Sequence, residues 1–142
     1  MPNQIRLKVI TPSKELLDRD VNMVILRGTE GDMGILPGHE NRIAALGMGT
    51  LRAFGEEGEI EHLAVLGGFA EVREDVVTVL SDAAEWADEI DKARAEAAKA
   101  RAEQRMLQAE EGVDMQRAEL SLRRALVRIE VSSYPLIKER KR

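Results

Sequence analysis

The 142-residue chain has no cysteine and only two histidines, His39 and His62. Without thiols there is no disulfide and no thiolate metal site, a composition that suits a reducing compartment. Two imidazoles do not by themselves complete a histidine-based zinc site. No apolar run approaches the ~20 residues a membrane-spanning helix needs, and the N-terminus lacks a basic stretch followed by an apolar one, so direct membrane insertion is not expected. A formal net charge of −5 argues against nonspecific nucleic-acid binding. The glycines between Gly28 and Gly38 make no phosphate loop, because no Lys-Ser/Thr pair and no helix follow them. Nucleophilic catalysis lacks parts as well. His39 adjoins Glu40, but its only serine partners would be distant ones such as Ser13 or Ser81, and after Pro37-Gly38 it reads as a turn residue that hydrogen-bonds backbone groups.

The charge that is present is unevenly placed. Residues 1–82 carry 8 Lys/Arg against 14 Asp/Glu, residues 83–114 carry 5 against 9, and residues 115–142 carry 8 against 3. A basic arm thus ends an acidic protein, which suits an acidic or phosphate-bearing partner for that end.

Up to about Ser81 the pattern is that of strands. Ile5, Leu7 and Val9 alternate with Arg6 and Lys8, and Val21, Met23 and Ile25 alternate up to Gly28. Gly49 to Phe54, Ile60 to Leu66, Phe69 to Val72 and Val76 to Leu80 follow, divided by "GEEGE", "GG" and "RED". Short strands with frequent turns predict an antiparallel sandwich or barrel, with a bend at Gly67 and Gly68. At Asp82 the composition changes to alanine, glutamate, lysine and arginine, and the apolar period lengthens to that of a helix. Trp86, Ile90, Ala93, Ala97, Ala100 and Leu107 form one predicted seam; Met115, Ala118, Leu122, Ala125 and Ile129 form a second. Gly112 ends the first helix and Asp114 caps the second, giving an antiparallel hairpin before Pro135 and the tail "IKERKR". A further stripe, Leu120, Val127 and Val131, lies opposite the second seam and would face the sandwich or another subunit.

At 100° per residue Asp91, Arg94, Arg101 and Arg105 share one side of the first helix, and Arg117, Arg124 and Arg128 one side of the second. Closing the hairpin would gather guanidinium groups around one anion, and planar forks suit a triphosphate. Solvated arginines, or arginines paired with Glu89, Glu96 and Glu103, are the other reading.

The stretches "GTEGDMGILPGHE", "LGGFAEVREDVVTVLSDAAE" and "EIDKARAEAAKARAEQR" resemble, in order and spacing, the epsilon subunit family of the bacterial F-type ATP synthase, over about Ile5 to Val131. The resemblance implies an all-β plus α fold: a ten-stranded antiparallel β-sandwich followed by a two-helix hairpin. It implies a sandwich over 1–82 that binds the gamma subunit and the c ring, a regulatory hairpin over 83–133 and a basic tail over 134–142. It further implies a non-catalytic subunit of the central stalk at the cytoplasmic face of the bacterial plasma membrane. The ring contact would fall on Asp32, His39, Glu40, Asn41 and Arg42, where "GHENRI" replaces a more apolar family turn. The "IDxxRA" pattern carries a regulatory ATP site onto Glu85, Ile90, Asp91, Arg94, Ala95, Arg101, Arg124 and Arg128, with no cofactor required. The opened second helix would offer Arg117, Arg123, Arg124 and Arg128 to an acidic loop of the beta subunit, alongside alpha, and inhibit ATP hydrolysis. A free-standing nucleotide-sensing scaffold and an esterase built around His39 are the alternatives.

Overall fold

The computed structural model describes residues 3–109 and 113–135. Eight strands come first in the chain: β1 (Ile5–Ile10), β2 (Glu15–Val21), β3 (Met23–Gly28), β4 (Gly31–Ile35), β5 (Arg42–Phe54), β6 (Ile60–Arg73), β7 (Val76–Leu80) and β8 (Ala84–Trp86). They hydrogen-bond in the order β2-β1-β7-β6-β5-β3-β4, with β8 also on β6. The expected ten antiparallel strands are therefore eight in a mixed sheet, since β1 and β7 pair in parallel. Two physical reasons account for the difference. At 13 and 14 residues, β5 and β6 run unbroken past the glycines that read as interruptions. The parallel pair joins segments more than 60 residues apart, so no local turn announces it.

Gly67 and Gly68 do bend the sheet, at φ of 90° and 115°. Beyond them β6 pairs with β7, and before them the same strand pairs with β8. A Cβ on Gly68 would stand 2.0 Å from the Leu80 carbonyl oxygen, so the close approach there requires glycine. The bent sheet closes on one core that includes Ile5, Leu7 and Val9 of β1, Val77 and Val79 of β7, Leu63 of β6 and Trp86 of β8. The alternation expected in β1 points inward as read. In β3 the phase is reversed: Val24 and Leu26 are buried, whereas Met23 and Ile25 are half-buried. Apolar residues occupy both faces of that strand, and a bend at Asn22, whose Nδ2 donates to the Gly55 carbonyl at 3.3 Å, separates it from Val21.

The helical region starts later than its composition suggests. Trp86 pairs across from Leu63 and is almost fully buried, so tertiary pairing holds 84–86 as strand despite good helix formers around it. A 3-10 turn, Ala87–Glu89, follows, and α1 spans Lys92–Gln108. Asp91 caps it, accepting from the Arg94 backbone N–H at 3.0 Å. The buried positions of α1 are Ala95 and Ala102, with Ala98 and Met106 partly covered; Ala93, Ala97 and Ala100 are exposed and Leu107 is 83% exposed. The expected seam of α1 is thus wrong by a fraction of a turn. Alanine occurs at 93, 95, 97, 98, 100 and 102, so more than one helical phase offers a small-residue stripe, and packing selects among them.

α2 (Val113–Ser132) places Asp114 in its first turn rather than at its cap, while Gly112 and the tail "IKERKR" lie outside the described residues. Its seam follows expectation, with Ala118 and Ala125 buried. Joined through four residues and packed side by side, the helices run antiparallel. Val127 and Val131 form a second, smaller core with Ala64 and Leu66, against which Met48, Ala83, Ala87 and Ile90 pack. Leu120 does not join them and is 44% exposed. One face of α2 therefore meets α1, and another lies across β5 and β6.

Candidate functional site

Between α1, α2 and the segment joining β8 to α1 lies a cavity of about 390 Å³. Glu85, Ile90, Asp91, Arg94, Ala95, Arg101, Arg124 and Arg128 all line it, so the eight positions selected from the sequence converge on one space. The volume falls within the range of roughly 300–1,000 Å³ typical of small-molecule sites. Its wall adds Glu89, Ala98, Arg105, Ser121 and Ala125. A signal for these was available: Ala98 lies four residues from Arg94, and Ser121 lies three residues before Arg124 and four before Ala125, spacings that keep residues on one helical face.

Five arginines meet three carboxylates in this cavity. Arg128 Nε donates to Glu85 Oε1 at 2.6 Å, which ties α2 to β8. Arg124 Nη2 donates to Ser121 Oγ at 3.3 Å. Glu89 is engaged outward, with Lys14 and with the Trp86 backbone N–H at 2.9 Å. Arg94, Arg101 and Arg105 make no salt bridge with any described residue. Pairing with Glu96 or Glu103 therefore does not hold these guanidinium groups, and their forks remain able to take a multivalent anion. The opposite wall is small and apolar, made of Ile90, Ala95, Ala98 and Ala125. A ligand with a polyanionic end and a flat, weakly polar end matches both walls.

Of the four arginines assigned to a contact with another subunit, Arg124 and Arg128 face this cavity, while Arg117 is exposed. Arg123 points elsewhere, into a cleft of about 450 Å³ between α2 and β5. In this closed arrangement the four do not form one surface. The same cleft holds Asp32, whose Oδ1 accepts from Arg27 Nε at 2.6 Å and whose Oδ2 lies 3.5 Å from Arg52 Nη2.

The other residues assigned to the ring contact lie past the far end of β4. "GTEGDMGILPGHE" proves to be three pieces: a hairpin turn at Thr29 and Glu30, the edge strand β4, and a second turn at 36–41. That second turn is fastened to the turn between β6 and β7. The Gly38 N–H donates to Asp75 Oδ1 at 2.7 Å, and the Glu74 N–H donates to Asn41 Oδ1 at 3.1 Å. His39 Nδ1 sits 2.7 Å from the Glu40 carbonyl oxygen, and Arg42 opens β5. Ser13 bonds with Thr11, and Ser81 Oγ donates to the Ala83 carbonyl, so neither hydroxyl is presented to His39.

His62 has neighbours that sequence reasoning missed. Its ring stacks on that of Tyr134, with centroids 3.7 Å apart and planes within 5°. Burial, and secondarily the charge of Arg52, push its imidazole pKa below the usual value, while Glu130 pulls the other way. No sequence signal joins residues 72 positions apart.

The outer face of the sheet carries an apolar row. Ile10, Leu80, Phe69 and Ala45 lie directly opposite one another across β1, β7, β6 and β5, and Ile43 lies two residues along on β5. Ile43, Phe69 and Leu80 are 73%, 59% and 51% exposed. A contiguous patch of this kind marks a protein interface.

Comparisons with known proteins agree over residues 4–133. Residues 4–87 match the family described as ATP synthase, Delta/Epsilon chain, beta-sandwich domain, and residues 88–133 match ATP synthase, Delta/Epsilon chain, long alpha-helix domain. The chain is 46% identical over 128 residues to the ATP synthase epsilon chain of Bacillus velezensis, covering 90% of this chain and 96% of that one. It is 44% identical over 131 residues to the epsilon chain of Nitratidesulfovibrio vulgaris, covering 92% and 97%. A chain of the Euglena gracilis mitochondrial ATP synthase structure, OSCP/F1/c-ring, superimposes with a TM-score of 0.81 at 27% identity, covering 94% of this chain and 84% of that one. A chain of the Tetrahymena thermophila mitochondrial ATP synthase central stalk and c ring shares the fold alone, at TM-score 0.54 and 15% identity, covering 90% and 92%.

Proposed function

The chain belongs to the epsilon-chain family of ATP synthase, and from that premise we propose how its parts divide the work of a central-stalk subunit. It is a non-catalytic subunit of the rotary complex, with gamma, the c ring, alpha and beta as partners. The sandwich, up to Trp86, makes the stalk contacts; the hairpin that follows it, up to 133, regulates; and 134–142 supplies a basic tail. The subunit works peripherally at the cytoplasmic face of the bacterial plasma membrane, and no described helix is long and apolar enough to cross a membrane.

The apolar row of Ile10, Leu80, Phe69, Ala45 and Ile43 takes gamma, because it is the exposed hydrophobic face of the sheet. Asp32, His39, Glu40, Asn41 and Arg42 meet the c ring. They sit at the two ends of β4, so the contact spans that edge strand. The fastening of 36–41 to Glu74 and Asp75 stiffens one end of it for transmitting torque.

ATP is the regulatory ligand. Arg94, Arg101, Arg124 and Arg128 hold the phosphates, and Arg128 exchanges Glu85 for the nucleotide. The adenine lies towards Ile90 and Ala95, with Asp91 and its backbone near the base edge, since a carboxylate repels triphosphate. Bound across both helices, ATP stabilises the closed hairpin by its differential affinity for that state. When ATP is scarce the alanine seam, which buries little area, gives way. α2 then extends, and Arg117, Arg123, Arg124 and Arg128, split between two clefts while closed, come free to meet an acidic loop of beta and stop hydrolysis.

One observation carries this reading: five arginines from two helices line a single cavity, and four of them, all but Arg128, lack a salt-bridge partner among the described residues. Calorimetry of the full chain with ATP tests it. Saturable heat is expected; none at millimolar ATP removes the nucleotide from the account and leaves the stalk assignment in place.

A further inference from the structure

α2 ends on the sandwich in a second contact, distinct from the cavity. Rows of facing residues on the outer side of β5 and β6 run Met48 with Leu66, Thr50 with Ala64, and Arg52 with His62. Val131 is completely buried in the small core that Ala64 and Leu66 help to form. Glu130 accepts a hydrogen bond from Thr50 Oγ1 at 2.5 Å. At the last row, Tyr134 lies flat on His62.

The stack favours one protonation state. His62 Nδ1 is buried with no hydrogen-bond partner among the described residues. A neutral imidazole can leave that nitrogen as an unprotonated acceptor, at modest cost. An imidazolium carries protons on both nitrogens, and one would then be buried without an acceptor. Two charged groups face the ring: Arg52 from β5, which opposes its protonation, and Glu130 from α2, which favours it. Burial is the largest influence and acts in the same direction as Arg52, so the ring is held neutral against the pull of Glu130. Lifting α2 removes Tyr134 and Glu130 together, leaves Arg52 in place, and returns the ring to water.

We propose that the His62–Tyr134 stack is a latch that holds the hairpin on the sandwich, and that protonation of His62 releases it. The proposal rests on the reading above that the hairpin moves. The ring titrates lower when α2 is docked than when it is free. Docking is therefore at full strength above the pH at which the undocked ring titrates and weakens as pH falls through it, until the docked ring also protonates. Each unit between the two values changes the closed-to-open ratio tenfold. Acid on the side where the subunit works would then favour the braking form even with ATP abundant.

The test combines two measurements on the full chain. NMR titration should find His62 titrating below its ordinary value, and Tyr134→Ala should bring it back up. Hydrogen exchange of the 127–132 amides, corrected for the intrinsic rate, should accelerate several-fold between about pH 7.5 and about pH 5.5. His62→Phe keeps an aromatic surface for Tyr134 and should abolish that acceleration. A His62 that ignores Tyr134→Ala overturns the latch, as does an acceleration that persists in His62→Phe. Exchange slowed by ATP yet independent of pH overturns the latch alone. Exchange independent of both overturns the moving hairpin with it.

Discussion

Replacing Val131 by alanine should loosen α2 from the sandwich while leaving the main core intact. Val131 is fully buried, and its cluster with Ala64, Leu66 and Val127 is separate from the core of the sandwich. The substitution removes two methyl groups. At about 0.8 kcal/mol each, with a smaller addition for the cavity left behind, the cost is about 2 kcal/mol. Because about 1.4 kcal/mol is tenfold, the opening equilibrium of α2 should rise about 30-fold. Hydrogen exchange at 127–132 reads that equilibrium. Urea unfolding followed through Trp86, buried in the sandwich, reads the rest of the molecule. Faster exchange with an almost unchanged Trp86 transition is expected. If the Trp86 transition shifts by the full amount and α2 exchange changes only with it, α2 is not a separable unit.

Gly68→Ala should destabilise the sandwich by at least about 2 kcal/mol in urea titration, because it combines a positive φ with a clash against the Leu80 carbonyl. Arg94→Ala and Arg124→Ala should each weaken ATP binding by about 1–3 kcal/mol in calorimetry, the loss of a charge-assisted contact. Phe69→Asp should abolish pull-down of the gamma subunit while leaving the circular dichroism spectrum and urea midpoint nearly unchanged, since the residue is exposed.

How far the sequence revealed this structure differs from element to element. β1 was legible because Ile5, Leu7 and Val9 alternate with charged residues, so only one face could be buried. β3 was not, since Met23 to Leu26 is apolar on both faces and either phase fits. β8 was hidden because three residues within a helix-favouring stretch carry no period, and Trp86 is held there by long-range pairing. The phase of α1 was concealed by an excess of alanine, whereas Val127 and Val131 disclosed the second face of α2 because valine on a polar helix side is conspicuous. At the candidate site, helical spacing alone gathered Asp91, Arg94, Arg101, Arg105, Arg124 and Arg128; Glu85, Ile90 and Ala95 came from resemblance to a known family. The His62–Tyr134 stack depends on how α2 docks across β6, which no local pattern encodes.

Hydrolysis by the assembled complex tests the central claim most directly. Deleting residues 115–142, which carry 8 basic against 3 acidic side chains, should raise ATPase activity and leave ATP synthesis largely intact. Charge reversal at Arg117, Arg123, Arg124 and Arg128 should do the same less completely and with a weaker dependence on salt. ATPase activity unchanged by the deletion would contradict the account and make the hairpin a structural part of the stalk.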